Sequence, residues 1–224
     1  MKNLLLITSV FLVLFSTTKA QTYLNTYGKQ YHDLARDMVE THDSGFVITG
    51  KSQSVATGYD IFLVKVSRDG DTLWTKRYGG SGTDLSKSIK LMPDNGFLVG
   101  GFTWSYGTNT PTTCNWYLLR LDQHGDTLWT WVHNNYGNDE LYDATPTSDG
   151  GFVLSGYTYF GGYAKGTIIK LDSNRTIQWT NYVPSSANSY VFETIEEPSG
   201  DLVITASSLG GTFNVFLRRY TAGG

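Results

Sequence analysis

One stretch recurs through this sequence and limits what the chain can become. DSGFVITG (Asp43–Gly50) leads through a variable loop to DIFLVKVSRDGDTLW, which ends at Trp74. DNGFLVGG (Asp94–Gly101) leads to NWYLLRLDQHGDTLW, ending at Trp129, and DGGFVLSG (Asp149–Gly156) leads to KGTIIKLDSNRTIQW, ending at Trp179. A fourth copy, SGDLVITA (Ser199–Ala206), continues to NVFLRRYTAGG and reaches no tryptophan. Phe46, Phe97, Phe152 and Leu202 therefore stand 51, 55 and 50 residues apart. Such a period marks an array of supersecondary units that cannot each bury an apolar face alone.

Strand signals are regular within each copy. In the first, Leu34–Glu40 precedes the turn His42-Asp43-Ser44-Gly45, and Phe46–Lys51 is a short apolar, β-branched run. Asp60–Val66 alternates in character and ends in the turn Arg68-Asp69-Gly70-Asp71, where Asp-Gly suits a tight hairpin. Thr72–Tyr78 completes four strands, and no segment sustains a helical period. Four-stranded units of about fifty residues fit β-propeller blades. The expected fold is all-β, a β-propeller of antiparallel four-stranded blades, about four of them in this chain. The copies span roughly residues 29–78, 79–133, 134–183 and 184–224 after an amino-terminal strand at 21–28. Trp74, Trp129 and Trp179 hold one place in three copies. Each is expected to pack between blades, contributing about 2–3 kcal/mol, with sugar stacking as the alternative role.

The pattern DGGF-x-x-x-G, then a DIFLVKL-type strand, then D-x-x-G-D-T-L-W resembles the β-propeller repeat of large exported and surface proteins in bacteria that use type IX secretion. The resemblance covers nearly all of residues 22–224 and implies a surface or extracellular repeat protein without implying an activity. A weaker similarity links it to quinoprotein and outer-membrane assembly propellers.

The fourth copy stops at the turn after Arg219-Tyr220, one strand short. At the other end Tyr23–Tyr27 and Asp33-Leu34 match Trp74–Tyr78 and Asp84-Leu85 at equal spacing. The strand Thr22–Tyr27 is thus expected either to complete the last blade and close the ring, or to be the visible end of a longer array.

Residues 1–20 read as a signal peptide. Lys2 supplies the positive end, Leu4–Phe15 the apolar core and Thr18-Lys19-Ala20 the small-residue cleavage pattern. The mature chain is expected to begin at Gln21, exported to the periplasm, cell surface or medium and not membrane-spanning after cleavage. Loss of Lys2 and Lys19 leaves 15 basic against 20 acidic residues, a formal charge of −5. That balance excludes a nucleic-acid partner. Cys114 is the only cysteine, so no intrachain disulfide forms.

Several motifs dissolve in the repeat. Gly45–Ser52 satisfies the phosphate-loop pattern, but its middle residues form a strand and no helix follows. Asp69-Gly70-Asp71 lacks the later ligands of a calcium loop. His32, His42, His124 and His133 have no metal spacing, and no serine-nucleophile elbow exists. No cofactor and no metal are expected. Asp33, Asp84 and Asp139, with Ser189 in the fourth place, recur ten residues after Tyr23, Trp74, Trp129 and Trp179. They are expected to bond main-chain N–H groups where the chain enters each blade, a cation-holding ring being the alternative. Among Glu40, Asp143, Glu193, Glu196 and Glu197, spacing singles out no pair for glycoside cleavage.

The copies differ most between their second and third strands, at residues 52–59, 103–114, 157–164 and 207–213. These loops bring Tyr59, Trp104, Tyr106, Tyr159, Phe160, Tyr163 and Phe213 to one end of the fold. Rings on a Gly/Ser/Thr background suit sugar or protein contacts, unless they fold back over the blade edges. The expected function is non-catalytic binding of a glycan or surface protein, centred on Trp104, Tyr106, Tyr159, Phe160 and Tyr163. Two alternatives remain: a structural segment of a larger surface protein, and a polysaccharide-degrading enzyme.

Overall fold

Strand breaks fall where the turn residues place them. A computed structural model of the protein describes residues 26–27, 32–54, 58–108, 112–134, 137–209, 213–221 and 223. The expected signal peptide, most of the expected strand Thr22–Tyr27 and the side chain of Phe213 lie outside the described residues. Sheet one consists of β1 (Asp33–Glu40), β2 (Phe46–Ser54), β3 (Gly58–Val66) and β4 (Thr72–Tyr78). Sheet two consists of β5 (Asp84–Leu91), β6 (Phe97–Thr103), β7 (Asn115–Leu121) and β8 (Thr127–His133). Sheet three holds β9 (Glu140–Pro146), β10 (Phe152–Phe160), β11 (Tyr163–Leu171) and β12 (Ile177–Tyr182). Sheet four holds β13 (Ser189–Glu196), β14 (Leu202–Leu209) and β15 (Phe213–Tyr220). Each sheet is antiparallel with its strands in chain order. The chain is all-β among the described residues.

Two of the variable loops are shorter than the sequence suggests. β2 runs on to Ser54, and β10 stays paired with β11 out to Phe160 opposite Tyr163. The expected loop 157–164 thereby contracts to Gly161-Gly162, whose φ values of 68° and 93° suit a two-residue hairpin turn. Tyr159, Phe160 and Tyr163 are strand residues.

Each first strand carries a β-bulge. The register slips between Ala35 and Asp37, between Ser86 and Ser88, at Tyr142, and between Val191 and Glu193. Arg36, Lys87, Tyr142 and Phe192 are the extra residues, and they keep the period of the repeat. Opposite the bulge stands the glycine that ends F-x-x-x-G. A Cβ on Gly50, Gly101 or Gly156 would lie 1.9, 2.0 or 2.1 Å from the main-chain oxygen of Leu34, Leu85 or Glu140. The motif glycine is there because the first strand's backbone occupies the space of a side chain.

A second recurrent device ties the first turn to the end of the third strand. Lys65 pairs with Asp43 at 2.7 Å, Arg120 with Asp94, Lys170 with Asp149 at 2.8 Å, and Arg219 with Glu197 at 2.7 Å. In the first three sheets the cation is buried and its carboxylate faces solvent. Burial would raise the Asp149 carboxyl, but the Lys170 ammonium, Thr147 hydroxyl and Gly151 N–H outweigh it and hold it at about 2. In the fourth copy Ser199 replaces the turn aspartate, and the acid moves to Glu197, the counterpart of Thr41.

Successive sheets pack face to face, and among the described residues sheet four does not pack on sheet one. Among the described residues no closed ring is seen. Three cores result, one at each junction. Trp74 lies edge-on to Phe97 of the next sheet at 6.4 Å, and Trp129 to Phe152 at 5.6 Å. Trp179 packs against the core containing Leu202 and Ile204. The Tyr78 hydroxyl donates to the Gly125 carbonyl of sheet two at 2.6 Å, and the Tyr27 hydroxyl donates to Gly70 of sheet one at 2.7 Å. Tyr27 thus stands to sheet one as the end of β4 stands to sheet two.

Gly101→Ala is expected to destabilise the fold by about 1–3 kcal/mol, because the new methyl collides with backbone rather than a movable side chain. Urea denaturation checks this; an unchanged midpoint would contradict the close approach.

Candidate functional site

The ends of the second and third strands lie beside the connections between sheets, and the recurrent acids hold this end together. Asp84 is fully buried and accepts hydrogen bonds from the Thr103 hydroxyl, the Ser105 hydroxyl (2.6 Å) and the Gly80 N–H (2.8 Å). Asp139 is fully buried, and its Oδ1 accepts the Tyr159 N–H at 2.7 Å. Ser189, in the fourth place, accepts the Gly166 N–H at 2.9 Å. Asp33 is partly buried at the start of β1. Among the described residues no three His, Cys, Asp or Glu side chains gather as metal ligands.

The sequence-selected rings divide into two groups. Trp104 is half-buried with its ring edge-on to Phe102 at 5.3 Å. Tyr106 packs on Tyr117 at 5.3 Å and donates its hydroxyl to the Gly79 carbonyl at 2.7 Å. Both fold back over sheet two. Tyr159, Phe160 and Tyr163 share the β10–β11 hairpin, where the Tyr159 hydroxyl donates to Gly162 O at 2.8 Å. Asn134 lies beside the first group and Gly137 beside the second. Asn134 Oδ1 accepts the Thr108 N–H at 3.1 Å, and a Cβ on Gly137 would lie 2.6 Å from that of Tyr159.

Among the described residues Phe160 is the most open ring of this end, 64% exposed. Lys165 Nζ lies 6.0 Å from its centroid and 4.9 Å from that of Tyr182 on β12. With Thr158 these side chains line a shallow pocket of about 190 Å³. That is below the roughly 300–1,000 Å³ of small-molecule sites, so the pocket is a docking point, not an enclosing cavity. Tyr182 and Lys165 were not legible as site residues, because β12 and β11 read as ordinary strands of the repeat.

A second run of rings crosses the first strands. Tyr142 and Phe192 stack at 5.6 Å with planes 3° apart, and Tyr157 meets Tyr190 edge-on at 5.2 Å. Lys87 Nζ sits 4.9 Å from the Tyr142 centroid and pairs with Glu140 at 3.3 Å. Three members, Lys87, Tyr142 and Phe192, are the bulge residues of consecutive sheets. Their period was visible in the sequence; the bulge that turns them to a common side was not. Burial raises the Tyr142 and Tyr157 hydroxyl pKa values well above the usual range, helped by Glu140. This run is packing across the sheets rather than an open site.

Among the described residues Asp60 and Asp84 come together at the loop end. A Cβ on Gly79 would lie 2.6 Å from both Asp60 Oδ1 and Asp84 Oδ2. Burial, then the Asp84 charge, raises the pKa of Asp60. Asp84 is committed to three donors, Gly80 before it and Thr103 and Ser105 at the end of β6, so it positions these.

By sequence the chain matches no family model and no curated protein. Among solved structures it is similar to a protein of unknown function from Bacteroides caccae, at 13% identity and a TM-score of 0.54. The alignment covers 88% of this chain and 64% of that one, so this chain spans under two thirds of its neighbour's length. The likeness is one of fold.

Burial raises the pKa of Asp139 to about 7, against the opposing Tyr159 N–H bond. The folded state therefore holds its proton more tightly than the unfolded chain, whose aspartates titrate near 4. Stability from this group is full below about pH 4 and falls as pH rises towards 7. Asp139→Asn is expected to flatten that decline in thermal melts between pH 4 and 8. An unchanged pH profile would contradict it.

Proposed function

We propose that the chain is an arc of an exported β-propeller that serves as a non-catalytic binding module. Its stack of three four-stranded sheets and one three-stranded sheet, its short antiparallel connections and its inter-sheet tryptophans are features that propeller blades require. The amino-terminal charge, apolar core and cleavage pattern support export. The repeat's resemblance to surface proteins of type IX-secreting bacteria supports a place at the cell surface or outside it.

One observation carries the binding reading: the exposed Phe160 ring beside Lys165 and Tyr182, presented by a hairpin paired to its last residue. An open ring with an ammonium at its side suits the apolar face of a sugar bearing an acidic or hydroxyl substituent, or a matching patch on a surface protein. Rigid presentation limits the ordering cost on binding. The rings Trp104 and Tyr106 belong to the scaffold of this end, and Tyr159 and Tyr163 support the hairpin. A structural segment of a larger surface protein is the second reading, favoured by the uncovered faces of sheets one and four.

Screening the purified chain on a glycan array, then titrating a bound sugar, tests the module. Phe160→Ala and Tyr182→Ala are each expected to weaken binding about ten-fold, ~1.4 kcal/mol, with melting temperature unchanged. Tyr106→Ala should instead lose about 1–3 kcal/mol of stability, since it removes a packed ring and a hydrogen bond. Binding that survives loss of both Phe160 and Tyr182 would refute this site.

A further inference from the structure

The two ends of the stack are faces that its interior buries. Leu63, Leu118 and Ile168 point from sheets one, two and three at the following sheet and are fully buried. Leu217 holds that register in sheet four and is 70% exposed; Val215, the counterpart of the buried Ile61 and Trp116, is 79% exposed. At the other end, Ile89, Ala144 and Thr194 are buried against the preceding sheet, whereas their counterpart Met38 is 63% exposed.

A hydrogen bond between the first strand and the next sheet recurs at two of the three junctions; at the middle one Ser88 holds the place and its hydroxyl makes no such bond. Asp37 Oδ2 accepts the Ile89 N–H of the next sheet at 2.9 Å, and Asp143 Oδ2 accepts the Thr194 N–H at 3.1 Å. Glu193 occupies that position in sheet four, exposed, with no sheet beyond it among the described residues. The Met38 N–H, which corresponds to those of Ile89 and Thr194, bonds to the adjacent Asp37 Oδ1 at 2.8 Å. Repeat arrays end in units with polar outer faces. Among the described residues both outer faces instead carry exposed apolar side chains, Met38 on one and Val215 and Leu217 on the other.

We propose that a second copy of this chain covers these faces, with sheet four of one copy packed on sheet one of the other. A second copy fits because it offers both missing surfaces: its sheet one supplies the apolar face that sheet four lacks, and its sheet four the face that sheet one lacks. Glu193 of one copy then accepts the Met38 N–H of the other, as Asp37 and Asp143 accept the N–H groups of Ile89 and Thr194 within the chain. The contact is head-to-tail, so two of them related by a two-fold axis close a ring. It does not depend on any ligand at the hairpin.

Sedimentation velocity on the purified chain, over a dilution series, tests this. A dimer that dissociates on dilution is expected. Leu217→Glu and Met38→Glu each place a charge on one exposed face, and each alone should weaken self-association at least ten-fold with the dilute-solution melting temperature unchanged. Mixed in equal amounts, the two variants should recover a pair, because Met38→Glu keeps sheet four intact and Leu217→Glu keeps sheet one intact. A parent chain that stays monomeric up to about 100 µM, a range that captures micromolar association, overturns the proposal. So does a mixture that fails to pair, or a single variant that still self-associates.

Discussion

Burial of one sheet's face by the first strand of the next is the interaction on which the rest of this structure depends. A four-stranded unit of some fifty residues has too little interior of its own, and here each of the three cores draws side chains from two sheets. Within each sheet the first strand carries a bulge opposite a residue with little or no side chain on the second, so those two strands approach closely. Gly50, Gly101 and Gly156 meet the carbonyls of Leu34, Leu85 and Glu140 at distances no Cβ tolerates. The tryptophans and the tyrosine hydroxyls act on the junctions between sheets from the outer strands. Each full-size apolar side chain so covered contributes about 1.5–3 kcal/mol, so the junctions outweigh any surface ion pair.

Two consequences follow for the functional end. The acids Asp84 and Asp139 are buried because they sit where the chain crosses from one sheet to the next, and their oxygens hold the loops that carry the rings. Rigid hairpins also decide which rings are free. Tyr106 has a neighbour to lie on and a carbonyl to bond, whereas Phe160, in the last pair of β10 and β11 opposite Tyr163, stays 64% exposed.

Most of the architecture was legible in the sequence, and the reasons are local. The spacing of Phe46, Phe97, Phe152 and Leu202, the turn residues after them and the recurrent tryptophans report short-range chemistry that each copy repeats. Bulges were not legible, since Arg36, Lys87, Tyr142 and Phe192 differ in type and share only a position. Nor was the Lys65–Asp43 class of ion pair, because acid and base are about twenty residues apart and the acid shifts from Asp to Glu197 in the last copy. At the candidate site, composition identified the right end of the molecule but not the exposure of each ring. Tyr159, Phe160 and Tyr163 read as loop residues in a Gly-rich stretch; the alternation of β10 and β11 makes them strand. Lys165 and Tyr182 gain meaning only from the pairing of β11 with β12.

The central claim is that each sheet owes its stability to its neighbours, so that the ends of the stack are its weakest parts. Native-state hydrogen exchange in dilute solution measures this directly. The account predicts slowest exchange in β6, β7, β10 and β11, which have a sheet on either side, and faster exchange in β1, β2, β14 and β15. Equal protection across all four sheets at dilutions where the chain is monomeric would contradict it.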